Sequence, residues 1–175
     1  MVMSSSYGVV ISFKSRNCVM RLDIQGMLEA FAGQCDSTGL HLSGDRLRDL
    51  KLHNPLSVAS DGDFNFYIGM LRTGENLIKI SMQTDMVVDV FVIANRPQRI
   101  FYDIITNSIY MAVNFGFGKL DLPSHDLTWL AGSSVFGGSS FHSPIPLHEV
   151  EFSFPGRFVR IGLYRWMVAD RLNSR

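Results

Sequence analysis

About six short runs of β-branched and aromatic residues, each bounded by turn-forming residues, dominate the sequence. One run opens the chain, and the others lie in its middle, at residues 7–13, 64–71, 77–83, 87–93, 99–102 and 108–117. Runs of this length and composition are typical of β-strands, because branched and aromatic side chains pack well on a pleated surface. The sequence therefore predicts a mixed, mainly antiparallel sheet of about six strands.

Two of these runs carry more specific information. Residues 64–71 and 77–83 flank the five-residue connection Arg72-Thr73-Gly74-Glu75-Asn76, and a Gly-containing connection of this length indicates a β-hairpin. The run at 87–93 is apolar at successive positions, as expected for a strand covered on both faces. We therefore expect residues 87–93 near the centre of the sheet.

Two other stretches have the spacing of amphipathic helices. In residues 19–31 the apolar positions recur at helical intervals before a possible C-cap at Gly33: Met20, Ile24, Met27, Leu28 and Phe31. In residues 157–172 four apolar residues keep helical spacing among several arginines: Phe158, Ile161, Val168 and Leu172. Residues 124–130 indicate a further helical turn. The expected fold class is thus α+β, with a long helix in the N-terminal half and a basic C-terminal helix.

Length and charge limit the organisation and the function. A chain of 175 residues fits one domain, 1–175, and the Gly- and Ser-rich stretch at 132–144 is the best position for a flexible break. No internal repeat is evident. The 16 basic and 16 acidic residues balance, so the chain as a whole lacks the charge of a general nucleic-acid binder.

The cysteines, histidines and N-terminal residues indicate an intracellular protein without a metal. Cys18 and Cys35 form neither a C-x-x-C pair nor a disulfide framework, so we interpret both as reduced thiols. The five histidines are scattered, and Gly116-Phe117-Gly118 lacks the third glycine of a dinucleotide site, so we expect no metal and no cofactor. Without an export signal or a membrane-spanning segment, we expect a cytoplasmic protein, although a secreted one whose leader was removed would look the same.

A series of short patterns carries a family resemblance. They are, in chain order, Val90-Phe91-Val92-Ile93-Ala94-Asn95, Phe101-Tyr102, Phe115-Gly116-Phe117-Gly118-Lys119-Leu120-Asp121-Leu122, Ala131-Gly132, Ile145-Pro146-Leu147-His148 and Gly156-Arg157-Phe158-Val159-Arg160-Ile161. Their order resembles that of the corresponding segments in ribosome-inactivating proteins. The resemblance covers residues 7–150 loosely, plus the last pattern, and it implies the N-terminal lobe of that fold without its central helices.

The resemblance implies an rRNA N-glycosylase that removes an adenine from large-subunit rRNA and so inhibits translation. The partners it implies are ribosomal RNA and the ribosome, with no membrane. In such an enzyme the flipped base stacks between aromatic rings. An arginine then stabilises the departing base, and a carboxylate stabilises the oxocarbenium-like sugar.

Five residues carry these roles by resemblance. Arg157 matches the catalytic arginine and Glu151 is the nearest available carboxylate. Phe91 matches the first stacking position, Lys119 falls at the second, and Trp166 matches the tryptophan below the adenine pocket. Where the family has its catalytic glutamate, this chain has Phe154.

Each of these residues also has an ordinary structural interpretation. An aromatic residue in a strand and a tryptophan in an amphipathic segment are commonly core residues, which applies to Phe91 and Trp166. Lys119 and Arg157 are of types that commonly face solvent. The alternative function is therefore a catalytically inactive relative of the family that acts as a binding or regulatory module.

Overall fold

The computed structural model describes residues 1–4, 7–39, 43–72, 74–93, 95–132, 149–150, 152–153, 155–162 and 165–170. Within these ranges the chain forms strands and two single 3-10 turns, Lys14–Arg16 and Leu47–Asp49, and no α-helix. No helix in the described part of the chain is long and apolar enough to cross a lipid bilayer.

The strands form four antiparallel sheets, and each sheet is built from strands that follow one another along the chain. The first contains β1 (Val2–Ser4), β2 (Gly8–Phe13), β3 (Cys18–Leu22) and β4 (Leu28–Ala32). The second contains β5 (Pro55–Ser60), β6 (Asn65–Met70), β7 (Glu75–Ser81) and β8 (Met86–Val92). The third contains β9 (Arg99–Asp103), β10 (Ser108–Ala112), β11 (Gly116–Asp121) and β12 (Leu127–Gly132), and the fourth is the hairpin of β13 (Pro155–Gly162) and β14 (Arg165–Asp170).

The same four-stranded meander thus occurs three times, and it is the kind of sheet that forms the blades of β-propellers. The expected α+β class with one sheet of about six strands is wrong, because the described strands divide into four separate sheets and no long helix is present. Although no repeat is evident in the sequence, the structure repeats one unit three times among the described residues. The repeated unit is a strand order, and it places few demands on residue identity.

The chain divides into two compact units, Met1–Arg96 and Pro97–Arg175. In the first unit, β5 packs across β1 and β2. The rings of Tyr7, Phe31 and Phe66 meet edge to face there, with centroids 4.8 to 6.0 Å apart. Around them lies an apolar cluster from both sheets and from the segment that connects them: Val10, Val19, Leu47, Leu50, Leu52, Ile68, Met70, Ile78, Ile80 and Val87.

The second unit has a core rich in aromatic residues. The Trp166 ring on β14 lies 4.3 Å from the Tyr110 ring and 5.6 Å from the Phe117 ring, measured between centroids, and Phe158 completes the group. Here β13 packs across β9 and β10. In both units the first strand of a later sheet therefore lies against the first two strands of the preceding one.

The helix expected at 19–31 is wrong, because this segment forms β3, a turn and β4. Asp23 accepts hydrogen bonds from the turn amides of Gln25 and Met27, and Gly26 has a φ of +80°. A left-handed residue stabilises this turn and is incompatible with a continuous α-helix. Of the expected apolar stripe, only Phe31 is buried, whereas Ile24, Met27 and Leu28 are exposed.

The helix expected at 157–172 is also wrong, because residues 155–162 and 165–170 form the β13–β14 hairpin. Side chains here alternate between the two faces, so Phe158 and Val168 pack inward while Val159 and Met167 are exposed. Branched residues and Gly162 favour strands over helix in this segment. The turn expected at 124–130 likewise belongs to β12 in its second half.

The expected strands are largely confirmed. Residues 64–71 and 77–83 form the β6–β7 hairpin, with Phe66 opposite Ile80. Residues 87–93 do form a strand, β8, but the expected central position is wrong because β8 is the last strand of its sheet. The adjacent residues Val90 and Phe91, which point to opposite faces, are partly and fully buried, whereas Val88 and Val92 are exposed, so the apolar run is only partly covered.

Cys18 and Cys35 are joined by a disulfide, so the interpretation as reduced thiols is wrong. Cys18 begins β3 and Cys35 follows β4, and the antiparallel pairing of Val19 with Ala32 brings the two Cα atoms to 4.9 Å. That separation suits a disulfide. The pairing of β3 with β4 determines the distance between the two cysteines. A helix at residues 19–31 does not predict this pairing.

Candidate functional site

Four hairpin loops share one construction, in which an aspartate accepts a hydrogen bond from at least one amide of the loop, and three of these loops also expose large apolar side chains. Between β3 and β4, Asp23 Oδ1 accepts from the backbone N–H groups of Gln25 and Met27 at 2.9 and 2.8 Å. A side chain that holds two amides in this way fixes the loop conformation locally.

The loop between β5 and β6 is held in the same manner. Asp61 Oδ1 accepts from the backbone N–H groups of Asp63 and Asn65 at 3.0 and 3.2 Å. Its other oxygen, Oδ2, accepts from the Asn65 side-chain amide at 2.6 Å. The Asp61 carboxylate thus accepts hydrogen bonds from three donors, all of them within the loop and its following strand.

The loop between β9 and β10 begins at Asp103. Its Oδ1 accepts from the Ile105 amide at 3.3 Å, and its Oδ2 accepts from the Thr106 hydroxyl at 2.8 Å. Asp103 also pairs with the guanidinium of Arg160 on β13, which ties the loop to the neighbouring hairpin. The carboxylate is almost fully buried, at 3% exposure.

All three loops present large apolar side chains to solvent. We call these side chains the apolar tips: Ile24 and Met27 in the first loop, Phe64 in the second, and Ile104 and Ile105 in the third. Their exposure ranges from 49% at Phe64 to 89% at Ile24. Water-exposed apolar surface of this kind contributes nothing to the core, so several such residues on short ordered loops indicate a contact surface.

Three other hairpin loops provide a contrast, since their exposed residues are polar. The β2–β3 loop exposes Lys14, Ser15 and Arg16, and the β7–β8 loop exposes Gln83, Thr84 and Asp85. In the β11–β12 loop, Ser124 donates from its hydroxyl and its amide to Asp121, which lowers the pKa of that carboxyl below its usual value. The apolar tips are therefore a property of particular loops and not of hairpins in general.

The structure places Arg157 and Trp166 on opposite faces of the last hairpin. Arg157 is exposed on β13, away from the core. Trp166 packs among aromatic rings, and the Arg160 guanidinium lies 5.9 Å from the centroid of its ring. Trp166 is thus a core residue of the second unit, on a strand.

The other sequence-derived residues are not brought together with them. Phe91 lies on β8 in the first unit and is only 4% exposed, so its ring faces are not open to a base. Lys119 lies on β11 in the second unit, where it pairs across the strands with Tyr110 and Thr128. Glu151 and Phe154 lie outside the described residues, as do residues 133–144 of the expected break.

Within the part of the chain that the structure describes, no group of three or more His, Cys, Asp or Glu side chains could hold a metal ion. Gly118, part of the glycine pattern noted in the sequence, has a packing role. A Cβ atom at this position would lie 3.2 Å from the Trp129 ring, so glycine allows that ring to lie close to β11.

Comparison with known proteins identifies relatives of the fold alone. No family model matches the chain, and no curated protein matches it. A solved structure of an auxiliary nutrient binding protein from Bacteroides thetaiotaomicron is similar over 98% of this chain and 52% of its own, with a TM-score of 0.55 and 12% identity. Hydrazine synthase from Kuenenia stuttgartiensis is similar over 77% of this chain and 35% of its own, with a TM-score of 0.53 and 15% identity.

The chain therefore spans about half, or less, of the length of these structures. The similar folds are rich in β-structure, and the resemblance to ribosome-inactivating proteins is wrong, because both helices that it requires are replaced by antiparallel strands. Removal of an adenine from rRNA and binding to the ribosome stay predictions, which no contact in the structure supports. A ribosome depurination assay measures them directly.

The sequence analysis does not identify the apolar tips, because it places Ile24 and Met27 in a helix and Phe64 in a strand, and it assigns Ile104 and Ile105 to no element. Ile24 and Met27 were counted as the buried side of a helix. A usable signal was nonetheless present, since Asp23 stands two residues before Gln25 and Asp61 two residues before Asp63, the spacing of Asx turns.

Proposed function

We propose that this chain is a binding module of the β-propeller type, which contacts the apolar surface of a protein partner through its apolar tips. The observation that carries the proposal is the pairing of exposed apolar side chains with aspartate-held loops in three separate hairpins. A loop that is already ordered loses little conformational entropy on binding, which favours affinity.

The repeated meander sheets support this role. β-Propellers are built from four-stranded sheets, and their short connections lie at the ends of rigid strands. The chain has three such sheets. The proposal retains the binding-module alternative of the sequence analysis, without the family from which it was derived.

We also propose that the module works in an oxidising compartment, as a secreted or extracytoplasmic protein. Its support is the Cys18–Cys35 disulfide, since such bonds persist outside the reducing cytosol. Counting free thiols in protein recovered from its native source, with and without reductant, tests this. Two reactive thiols before reduction would contradict it.

The partner contact is tested by photocrosslinking. A photoreactive residue is placed separately at Met27, Phe64 and Ile105, and at three matched positions in the polar loops, Ser15, Gln83 and Ser124. We expect Met27 and Phe64 of the first unit to give one common protein adduct from the native extract, Ile105 of the second unit to give a protein adduct of its own, and the polar positions to give none.

The specificity of the adducts is checked by Ile24→Lys for the first unit and Ile105→Lys for the second, and each places a charge on a tip without touching the core. We expect each to reduce the adduct at least tenfold, because burying an unpaired charge opposes binding. Equal adducts at apolar and polar positions, or an adduct unchanged by either lysine, would contradict the proposal.

A further inference from the structure

The two ends of the Cys18–Cys35 disulfide differ in their exposure to solvent. Cys18 begins β3 opposite Phe13 of β2 and has no exposed surface. Cys35 follows β4 and is partly exposed, and its neighbours Gln34 and Asp36 are both exposed. A reagent that approaches from solvent therefore reaches the sulfur of Cys35 and not that of Cys18.

The thioether of Met20 covers one side of the bond. Its Sδ atom lies 3.7 Å from Cys18 Sγ and 3.7 Å from Cys35 Sγ. Met20 belongs to β3, so this contact is part of the same hairpin that brings the two cysteines together. Approach to the disulfide is thus limited on the side of Met20, which leaves the solvent side of Cys35.

Backbone hydrogen bonds hold the segment that carries Cys35. The Gln34 amide donates to the Leu50 carbonyl at 2.7 Å, and the Asp36 amide donates to the Arg16 carbonyl at 2.6 Å. The Arg16 guanidinium also pairs with the Asp36 carboxylate at 2.7 Å. The partial exposure of Cys35 therefore belongs to a segment that is bonded on both sides of the cysteine.

We propose that Cys35 is the site of thiol–disulfide exchange through which this chain receives its disulfide, with Cys18 as the resolving thiol. In the first step, the Cys35 thiolate attacks one sulfur of a disulfide donor and the other donor sulfur leaves as a thiolate. In the second step, the Cys18 thiolate attacks the sulfur of Cys35, and the remaining donor sulfur leaves. The cysteines are oxidised to a disulfide, the donor is reduced to two thiols, and the two cysteine protons pass to the donor thiolates.

The unequal burial also gives the exchange a direction. Reversal requires an external thiolate to attack Cys35 and to expel the Cys18 thiolate at a position without exposed surface. A buried charge without a partner is costly, so exchange at Cys35 favours closing the disulfide over opening it. The inference rests on the proposed oxidising compartment for its donor, which is a small disulfide or the disulfide of an oxidase protein.

The test compares Cys18→Ala and Cys35→Ala in the full chain, since each variant keeps one thiol. Each is mixed with oxidised glutathione, and the adduct is followed by mass spectrometry. We expect the Cys35 thiol to form the adduct at least tenfold faster than the Cys18 thiol, because exposure controls access to the sulfur. The matched control is the same pair of reactions in concentrated urea, where burial is lost and the two rates should become similar.

The native wild type gives a second measurement that does not depend on the folding of either variant. The oxidised chain is treated with excess reduced glutathione and quenched with acid, and the remaining thiols are alkylated. Cleavage after Arg21, between the two cysteines, assigns the mixed disulfide. We expect it on Cys35. A mixed disulfide on Cys18, equal adducts on both cysteines, or none on Cys35 would overturn the proposal.

A further arm separates the two kinds of donor. A purified, oxidised dithiol oxidase of the thioredoxin type replaces glutathione, again with the Cys18→Ala variant. A covalent complex through Cys35 supports a protein donor, and an adduct with glutathione alone supports a small one. Two free thiols in protein from the native source would contradict the proposed compartment, whereas equal reactivity of the two cysteines in the folded chain contradicts only the role of Cys35.

Discussion

Asp103 connects a strand, a loop and the last hairpin of the second unit through polar contacts. It ends β9, holds the β9–β10 loop through Ile105 and Thr106, and pairs with Arg160 of β13. The carboxylate is 3% exposed and the arginine side chain 15% exposed, so both charges depend on each other and on hydrogen bonds for stability. One side chain thus supports both an apolar tip and the packing of the last hairpin.

Asp103→Asn is therefore expected to lower the free energy of unfolding by roughly 3 kcal/mol or more, because it removes the carboxylate charge that balances the largely buried Arg160 guanidinium. Urea denaturation followed by the fluorescence of Trp129 and Trp166 measures the change. Asp23→Asn is the control, since that aspartate holds its loop at the surface and should cost about 1 kcal/mol. A loss at Asp103 no larger than at Asp23 would contradict the argument.

The Asp121 carboxyl tests the hydrogen bonding of a polar loop. Its pKa is lowered chiefly by the Ser124 hydroxyl, then by the Ser124 amide, with a smaller effect of Lys119. Ser124→Ala should therefore raise the pKa of Asp121 towards its ordinary value, as NMR titration of the carboxyl carbon would show. An unchanged pKa would mean that the serine hydroxyl does not donate to this carboxylate in solution.

The same shift sets the sign of a small pH effect on stability. Because the pKa of Asp121 is lower in the folded chain than in the unfolded one, the stabilisation is present above the unfolded value and is lost as the pH falls through the folded value. The stability difference between the wild type and Ser124→Ala should accordingly disappear in acid.

At the scale of elements, the sequence predicts a hairpin correctly where the residues typical of strands and those typical of turns indicate the same structure. The β6–β7 hairpin has apolar runs on both sides of a Gly-containing loop, and both signals indicate the same structure. The β3–β4 hairpin has conflicting signals, because Met20, Ile24 and Met27 fit a helix by spacing alone. The positive φ of Gly26 and the hydrogen bonds of Asp23 form a turn in place of the helix. The spacing of apolar residues carries no information about this backbone conformation.

The candidate site is harder to predict from the sequence than the fold. The site is defined by which apolar side chains are exposed to solvent, and the sequence does not show exposure. The sequence shows that Ile24 and Ile105 are apolar, but only the register of the strands shows that they lie on loops in solvent. The sequence also does not show how the hairpins are divided among sheets. Strand and turn residues follow one another in the same way in three four-stranded sheets and in one long sheet, because each is a series of hairpins.

The β3–β4 loop gives a prediction at this scale. Asp23→Ala removes the acceptor for the Gln25 and Met27 amides, so these amides should exchange with solvent deuterium at least tenfold faster, while the Asn65 amide held by Asp61 should be unchanged. Hydrogen exchange followed by NMR makes the comparison within one sample. If the Gln25 and Met27 amides exchange as slowly in the variant as in the wild type, the aspartate does not order the loop.

At the scale of the whole molecule, the disulfide is the one covalent constraint among the described residues beyond the chain itself. It joins positions 17 residues apart, and closing a loop of this size in the unfolded chain is worth about 3 kcal/mol. The double variant Cys18→Ala/Cys35→Ala should lose stability of that order in urea denaturation. A reducing agent should destabilise the wild type similarly and leave the double variant unaffected, and any other pattern would contradict the assignment.

The consecutive order of strands in every sheet has a consequence for how the chain acquires its structure. Within each sheet, every strand after the first pairs with the strand before it, so the contacts that define a sheet are short in sequence and cost little loop-closure entropy. Chains with such local contacts reach their folded state quickly for all-β proteins. A sheet can therefore form as soon as its last strand leaves the ribosome, and we expect synthesis itself to set the order in which the sheets appear, with the first, sealed by its disulfide, before residue 97 exists.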